Sequence, residues 1–176
     1  SRRQRQMCIR DRRNIILIGM PGAGKSSVGV ILAKVLGYEF IDTDLVIQHR
    51  EKRLLREIIA DEGNEGFLAI ENEVNATLEA DKSVIAPGGS AIYGKEAMEH
   101  FKEIGTIVYL KLSYEDLAKR LGNLKGRGVV LKEGQTLKDL YDERSKLYEQ
   151  YAEITVDESG RDIQGTILAL REQIGM

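Results

Sequence analysis

The chain has 176 residues, of which 42% are hydrophobic and 31% charged, with 18 Gly, 2 Pro, one Cys and no Trp. That is the size of one domain able to bury a core without covalent staples, and a single cysteine closes no internal disulfide, which excludes a cross-linked secreted scaffold and points to a reducing cytoplasm. The longest apolar stretches, 14–24 and 106–112, are too short to span a bilayer, and a formal net charge of −2 leaves no excess of cations for a nucleic-acid backbone.

Charge is unevenly spread. Residues 1–13 hold six arginines and one acid, leaving 20 Lys and Arg against 27 Asp and Glu in 14–176, a net of −7 there. The basic leader lacks the apolar segment of a secretory signal. From Arg2 to Arg12 it resembles the translation of a transposase sequencing adaptor, so it is expected to be a non-native, disordered leader in which Cys8, the sole cysteine, has no biological meaning. Residues 14–176 are expected to form one domain.

From Asn14 onward, short β-like runs alternate with amphipathic segments, the pattern of an α/β domain with a mostly parallel sheet. NIILIG (14–19) is a continuous apolar run and reads as a central strand covered on both faces. A helix is predicted over 25–36, with Val28, Ile31, Leu32 and Val35 on its inner face and Gly37 as its stop. EFID (39–42) is a second strand, followed by helical segments at 54–61 and 65–80 split by Gly63. SVIAP (83–87) is the third strand. A helix over 95–103 turns Ala97, Met98 and Phe101 inward, and GTIVYLKL (105–112) is the fourth strand, with a helix over 114–121 after it. Four glycines in GNLKGRGVVLKEG mark a mobile lid at about 122–134. A helix over 137–151, a last strand at 154–156 and a closing helix over 162–174 complete the order.

The strongest local signal is Gly19-Met-Pro-Gly-Ala-Gly-Lys-Ser26, a full G-x-x-x-x-G-K-[ST] match between a predicted strand and a predicted helix. Its glycines let backbone N–H groups converge on phosphate oxygens at the positive end of the helix. Gly22, Ala23, Gly24, Lys25, Ser26 and Ser27 are therefore the expected nucleotide-binding residues. Lys25 can reach the terminal phosphates and the Ser26 hydroxyl can ligate Mg²⁺, so ATP and Mg²⁺ are the expected cofactors.

Asp42 and Asp44 stand two apart at the end of EFIDTD. If the extended conformation persists, period two turns both carboxylates the same way, toward the crevice beyond the strand ends. One could then hold magnesium's water shell and the other orient or deprotonate an acceptor hydroxyl. Either can instead cap the next helix.

With the phosphate loop, IDTD, PGGS and the glycine-rich segment in this order and spacing, 14–176 resembles the shikimate kinase family. The resemblance implies a three-layer P-loop NTPase fold, with a five-stranded parallel sheet flanked by helices and a mobile lid, and transfer of the ATP γ-phosphoryl group to a ring hydroxyl of shikimate, a step of aromatic amino acid biosynthesis. It implies Asp42 and Ser26 on the magnesium side and Asp44 on the substrate hydroxyls, with Gly88 and Gly89 lining the ring. It also implies Arg120 packing on adenine, Arg127 as the catalytic lid cation and Arg144 binding the substrate carboxylate. Lys25, Asp44 and Arg127 are thus the expected catalytic residues.

Departures from the family pattern cluster on the acceptor side. Phe67-Leu68-Ala69-Ile70-Glu71 stands where the family has F-R-x-x-E, so Leu68 replaces an arginine. Ser90 replaces a third glycine, Pro87 a small hydroxyl residue, and Arg127-Gly-Val an Arg-Pro-Leu. A kinase of the same architecture acting on another polyol or hydroxy acid, such as gluconate, is the alternative, as is a non-catalytic nucleotide-binding module. Glu71, without that arginine, either contacts a substrate hydroxyl or a different cation, or is a solvated carboxylate on a helix that also carries Glu65, Glu73 and Glu79. His49 and His100 lack metal-ligand spacing and read as surface residues, and Tyr141, Tyr148 and Tyr151 as packing residues. The expected partner is a small acidic polyol, with no nucleic acid or membrane, and the expected state a cytoplasmic monomer.

Overall fold

The computed structural model describes residues 13–121 and 134–175. The basic leader and nearly all of the predicted lid, including Arg127, lie outside these residues. Five strands form one sheet: β1 (Asn14–Ile18), β2 (Glu39–Asp42), β3 (Ser83–Ala86), β4 (Gly105–Lys111) and β5 (Ile154–Asp157). They run in the order β2-β3-β1-β4-β5 and every pairing is parallel. All five residues of β1 are buried, as the unbroken apolar run requires of a strand hydrogen-bonded on both edges and covered on both faces. Asn14 fixes the register at its start. Its amide donates to the carbonyls of Ala80 and Ile104 at 2.9 and 3.0 Å and accepts from the Ser83 N–H at 3.0 Å, tying the entries of β1, β3 and β4 together.

Alternation along the strands divides the core into two layers. Ile16, Ile18, Ile85, Ile107 and Tyr109 face Met98, Phe101, Leu140 and Tyr148 on one side. Ile15, Leu17, Val84, Val108 and Val156 face Val28, Leu32 and Leu170 on the other. The helices are α1 (Lys25–Leu36), α2 (Thr43–Glu51), α3 (Leu55–Ala76), α4 (Lys95–Ile104), α5 (Tyr114–Arg120), α6 (Leu137–Tyr151) and α7 (Ile163–Ile174), of which α1, α4, α6 and α7 supply these side chains. Ala97, Met98 and Phe101 are inward on α4 as predicted. Tyr148 stacks on Tyr109 with ring centroids 5.1 Å apart, in keeping with the packing role expected for the α6 tyrosines. Among the described residues, no helix is long and apolar enough to cross a membrane.

Three expectations are corrected. The inner face of α1 is Val28, Gly29, Leu32 and Ala33, whereas Ile31 and Val35 are 39% and 48% exposed; Gly29 packs so closely that a Cβ there would stand 2.6 Å from the Phe40 ring, which turns the small residues toward the sheet. Thr43–Glu51, given no element from the sequence, is helical. Its start ends the extended run at Asp42, so the two-residue alternation proposed for Asp42 and Asp44 does not hold. The helix predicted over 65–80 stops at Ala76. The predicted split at Gly63 is present as a kink, with φ 73 and ψ 176, within α3.

Candidate active site

Because the strands are parallel, the segments leaving β1, β2 and β3 emerge at one edge of the sheet, where ligands bind in open α/β folds. They enclose a cavity of about 310 Å³. The loop after β1 turns through Gly22 (φ 88) and Gly24 (φ 80), conformations that exclude most side chains, and delivers the N-terminus of α1 to the cavity. Lys25 is buried, and its ammonium donates to the carbonyl oxygens of Gly19 and Met20 at 2.8 and 2.9 Å, closing the loop on itself. Burial lowers its pKa to about 8, against the opposing pull of Asp44.

Asp42 and Asp44 line the same cavity by a different route from the one expected. Asp42 caps α2, its Oδ1 accepting from the Asp44 N–H at 2.9 Å. Asp44 follows in the first turn, and burial, reinforced by the neighbouring Asp42 charge, raises its pKa to about 6 while Lys25 opposes the rise. The capping alternative is therefore realised for Asp42, and it leaves Oδ2 outside that bond.

The third wall is Pro87–Gly88–Gly89–Ser90. A Cβ on Gly88 would stand 2.9 Å from Asp44 Oδ1 and 3.1 Å from Glu71 Oε2, and one on Gly89 would stand 2.6 Å from Pro21 Cδ and 2.9 Å from an Arg144 guanidinium nitrogen. Only glycine lets the backbone pass between these groups. The Tyr148 hydroxyl donates to the Gly89 carbonyl at 2.7 Å and holds the turn from behind. Arg144, on α6, is buried against this wall, its guanidinium 5.5 Å from the Tyr93 ring.

Glu71 is 1% exposed. Its Oε1 accepts from the Ser90 hydroxyl at 2.7 Å, and Oε2 has no hydrogen-bond partner among the described residues. Burial raises its pKa to about 7; the Ser90 hydrogen bond and Arg144 work against the rise and Asp44 with it. The solvated reading of Glu71 is overturned, while Glu65, Glu73 and Glu79 are exposed. A signal was present in the spacing: Phe67, Glu71 and Val74 lie at i, i+4 and i+7, the buried stripe of α3.

Of the predicted site residues, Gly22, Gly24, Lys25, Ser26, Ser27, Asp42, Asp44, Gly88, Gly89 and Arg144 line this cavity. Ala23 is fully buried behind the loop. Arg120 lines a second cavity of about 190 Å³ that shares Gly24 and Ser27 with the first and also touches Glu158, a residue the sequence reading did not single out. Its guanidinium donates to the Gly22 carbonyl at 3.3 Å. His49 is exposed, whereas His100 is half-buried with Nε2 2.6 Å from the Leu78 carbonyl oxygen.

The family model for shikimate kinase matches residues 21–174. The chain belongs to the shikimate kinase family. It is 34% identical to "Shikimate kinase 2" of Yersinia enterocolitica over 152 residues, 81% of this chain and 85% of the relative. Among solved structures, shikimate kinase from Acinetobacter baumannii in complex with shikimate superimposes with a TM-score of 0.77 at 32% identity, covering 96% of this chain and 93% of that one. The enzyme from Bacteroides thetaiotaomicron gives 0.76 at 26% identity, covering 93% and 98%. Against the family pattern, Leu68 packs with the apolar cluster of Ile47, Ile58, Phe67 and Val74 and does not line the cavity, whereas Pro87 and Ser90 do.

Proposed function

We propose that this shikimate kinase family member transfers the γ-phosphoryl group of Mg²⁺·ATP to a ring hydroxyl of shikimate, as a cytoplasmic monomer without nucleic-acid or membrane partners. The observation that carries the reading is the shared cavity: the phosphate loop with Lys25, the carboxylate of Asp44 and the guanidinium of Arg144 line one space. The acceptor oxygen bonds to the γ-phosphorus, the bond from that phosphorus to the bridging oxygen breaks, ADP leaves, and the hydroxyl proton passes to Asp44. Such a transfer needs positioning and charge stabilisation more than covalent chemistry from the protein. Lys25 neutralises charge on the transferring group, Arg144 anchors the acceptor's carboxylate, and Arg127, outside the described residues, supplies the lid cation.

Magnesium fits the donors present. Ser26 and Asp42 line the phosphate cavity with one hydroxyl and one partly committed carboxylate, and among the described residues no group of three His, Cys, Asp or Glu could hold a metal on its own. Few protein ligands beside phosphate and water oxygens is the coordination Mg²⁺ favours. Held by Ser26 and Asp42, it would supply positive charge to offset that of the phosphates.

With Leu68 turned into the apolar cluster, the acceptor's carboxylate meets one predicted cation. The KM for shikimate is expected to be about tenfold to a hundredfold above that of a family member with both arginines, the loss of one charge-assisted contact. Release of ADP across a panel of hydroxy acids tests the assignment. Turnover with shikimate, reduced at least roughly a hundredfold in Asp44→Asn, supports it. Turnover only with another polyol acid, or ATP binding without turnover, overturns it.

A further inference from the structure

Tyr93 has no part in the roles above, although it stands against the Pro87–Ser90 wall. It ends the 3₁₀ turn Ala91–Tyr93 that follows Ser90, and its N–H donates to the Ser90 carbonyl at 3.1 Å, so its backbone is tied to that wall. Its side chain reaches across to α6 and meets two successive residues there. The hydroxyl donates to Glu143 Oε2 at 2.9 Å, and the centre of the ring lies 5.5 Å from the guanidinium carbon of Arg144. Burial raises the Tyr93 pKa, Arg144 works against the rise and Glu143 with it, as expected of a phenol set between a cation and an acid.

A guanidinium makes its two parallel bonds to a carboxylate only when its planar fork is held in one orientation. Arg144 is 1% exposed, and one turn of chain supplies two of its neighbours: Gly89, where a Cβ would stand 2.9 Å from a guanidinium nitrogen, and the Tyr93 ring. An aromatic ring attracts a cation through its quadrupole without the charge neutralisation that a carboxylate would bring. The carboxylate next to Arg144 in sequence is engaged elsewhere. Glu143 Oε2 accepts from the Tyr93 hydroxyl and, at 3.2 Å, from Gln135 Nε2, and Glu143 does not line the phosphate-loop cavity.

We propose that Tyr93 is a positioning residue for the acceptor's carboxylate: its ring orients the Arg144 guanidinium while its hydroxyl holds Glu143 aside, so that the cation faces the acceptor's acid and not its neighbour's. The proposal rests on the reading of Arg144 as the carboxylate anchor. Initial-rate kinetics of wild type, Tyr93→Leu and Tyr93→Phe with shikimate and with its uncharged methyl ester test it. In wild type kcat/KM is expected to favour the acid. Tyr93→Leu should lower the acid-to-ester ratio about three- to thirtyfold through a higher KM for shikimate, with kcat and the KM for ATP within about twofold of wild type. Tyr93→Phe, which keeps the ring and loses the bond to Glu143, should fall between the two, and because it preserves the packing the comparison survives if the leucine variant does not fold. An unchanged ratio in both variants, or equal losses on acid and ester, overturns the proposal and leaves Tyr93 as a packing residue. Wild type that turns over shikimate without favouring it over the ester overturns the anchoring reading of Arg144 and this proposal together, and wild type without shikimate turnover overturns the proposed activity as well.

Discussion

At Glu71 the cavity wall shared with Ser90 holds a carboxyl group whose ordinary pKa would leave it ionised, in surroundings that favour the neutral acid. The folded value of about 7 lies above the usual carboxylate range because burial outweighs the help of Ser90 and Arg144. The sign follows from linkage: a carboxyl whose pKa is raised on folding contributes stability that is full below its unfolded pKa and is lost as pH rises through the folded one. Between about pH 4.5 and 7, wild type is therefore expected to lose stability relative to Glu71→Gln, by on the order of 3 kcal/mol across the window. Thermal melts of both proteins at pH 5 and pH 8 check this, and a difference that does not change with pH would show that Glu71 titrates normally. Ser90→Ala removes the hydroxyl that favours the ionised form, so its stability should fall more steeply than that of wild type over the same window. The burial of Glu71 was hard to read because its helix carries four other glutamates, Glu57, Glu62, Glu65 and Glu73, all exposed. Composition hid what the Phe67–Glu71–Val74 spacing contained.

Among the elements, the phosphate loop was legible in full because its chemistry is local: two glycines, a lysine and a hydroxyl in fixed register between a strand and a helix. The direction of its lysine was not legible. Lys25 is turned onto the Gly19 and Met20 carbonyls, and burial lowers its pKa to about 8 although Asp44 pulls the other way. An arriving triphosphate favours the ammonium form, so nucleotide binding at pH 8 should take up protons and weaken as pH rises further. Calorimetry in two buffers of different ionisation enthalpy measures the uptake, and identical heats in both would refute it. Helix α2 escaped the sequence reading for a related reason. Asp42 satisfies both the end of a strand and the cap of a helix, and TDLVIQHRE has too weak an apolar stripe to decide between them. In α1 the apolar stripe was read from Ile31 and Val35, but Gly29 and Ala33 are the residues that allow close approach to the sheet.

For the whole molecule, short apolar runs alternating with amphipathic segments were enough to give the five strands of a mostly parallel sheet and the connecting helices other than α2. What they could not give was which loops meet, because that depends on the order β2-β3-β1-β4-β5. The order joins the phosphate loop to Asp44 and the Gly88–Gly89 turn, so ligands should stabilise the chain as one unit. ADP with Mg²⁺ at a hundred times its Kd should add about 2.7 kcal/mol, a rise in melting temperature of roughly 5–10 °C. Lys25→Ala should lose most of that rise, and an unchanged wild-type melt would contradict it. The same topology leaves the opposite rim of the sheet free of these duties. There the chain enters β3 through the exposed pair Asp81 and Lys82, the length of the strand away from the Pro87–Ser90 turn. A fluorophore or surface tether carried on one of those side chains, leaving intact the backbone that Asn14 grips at Ala80 and Ser83, would keep clear of the phosphate-loop cavity, making that rim the place from which to watch single molecules work.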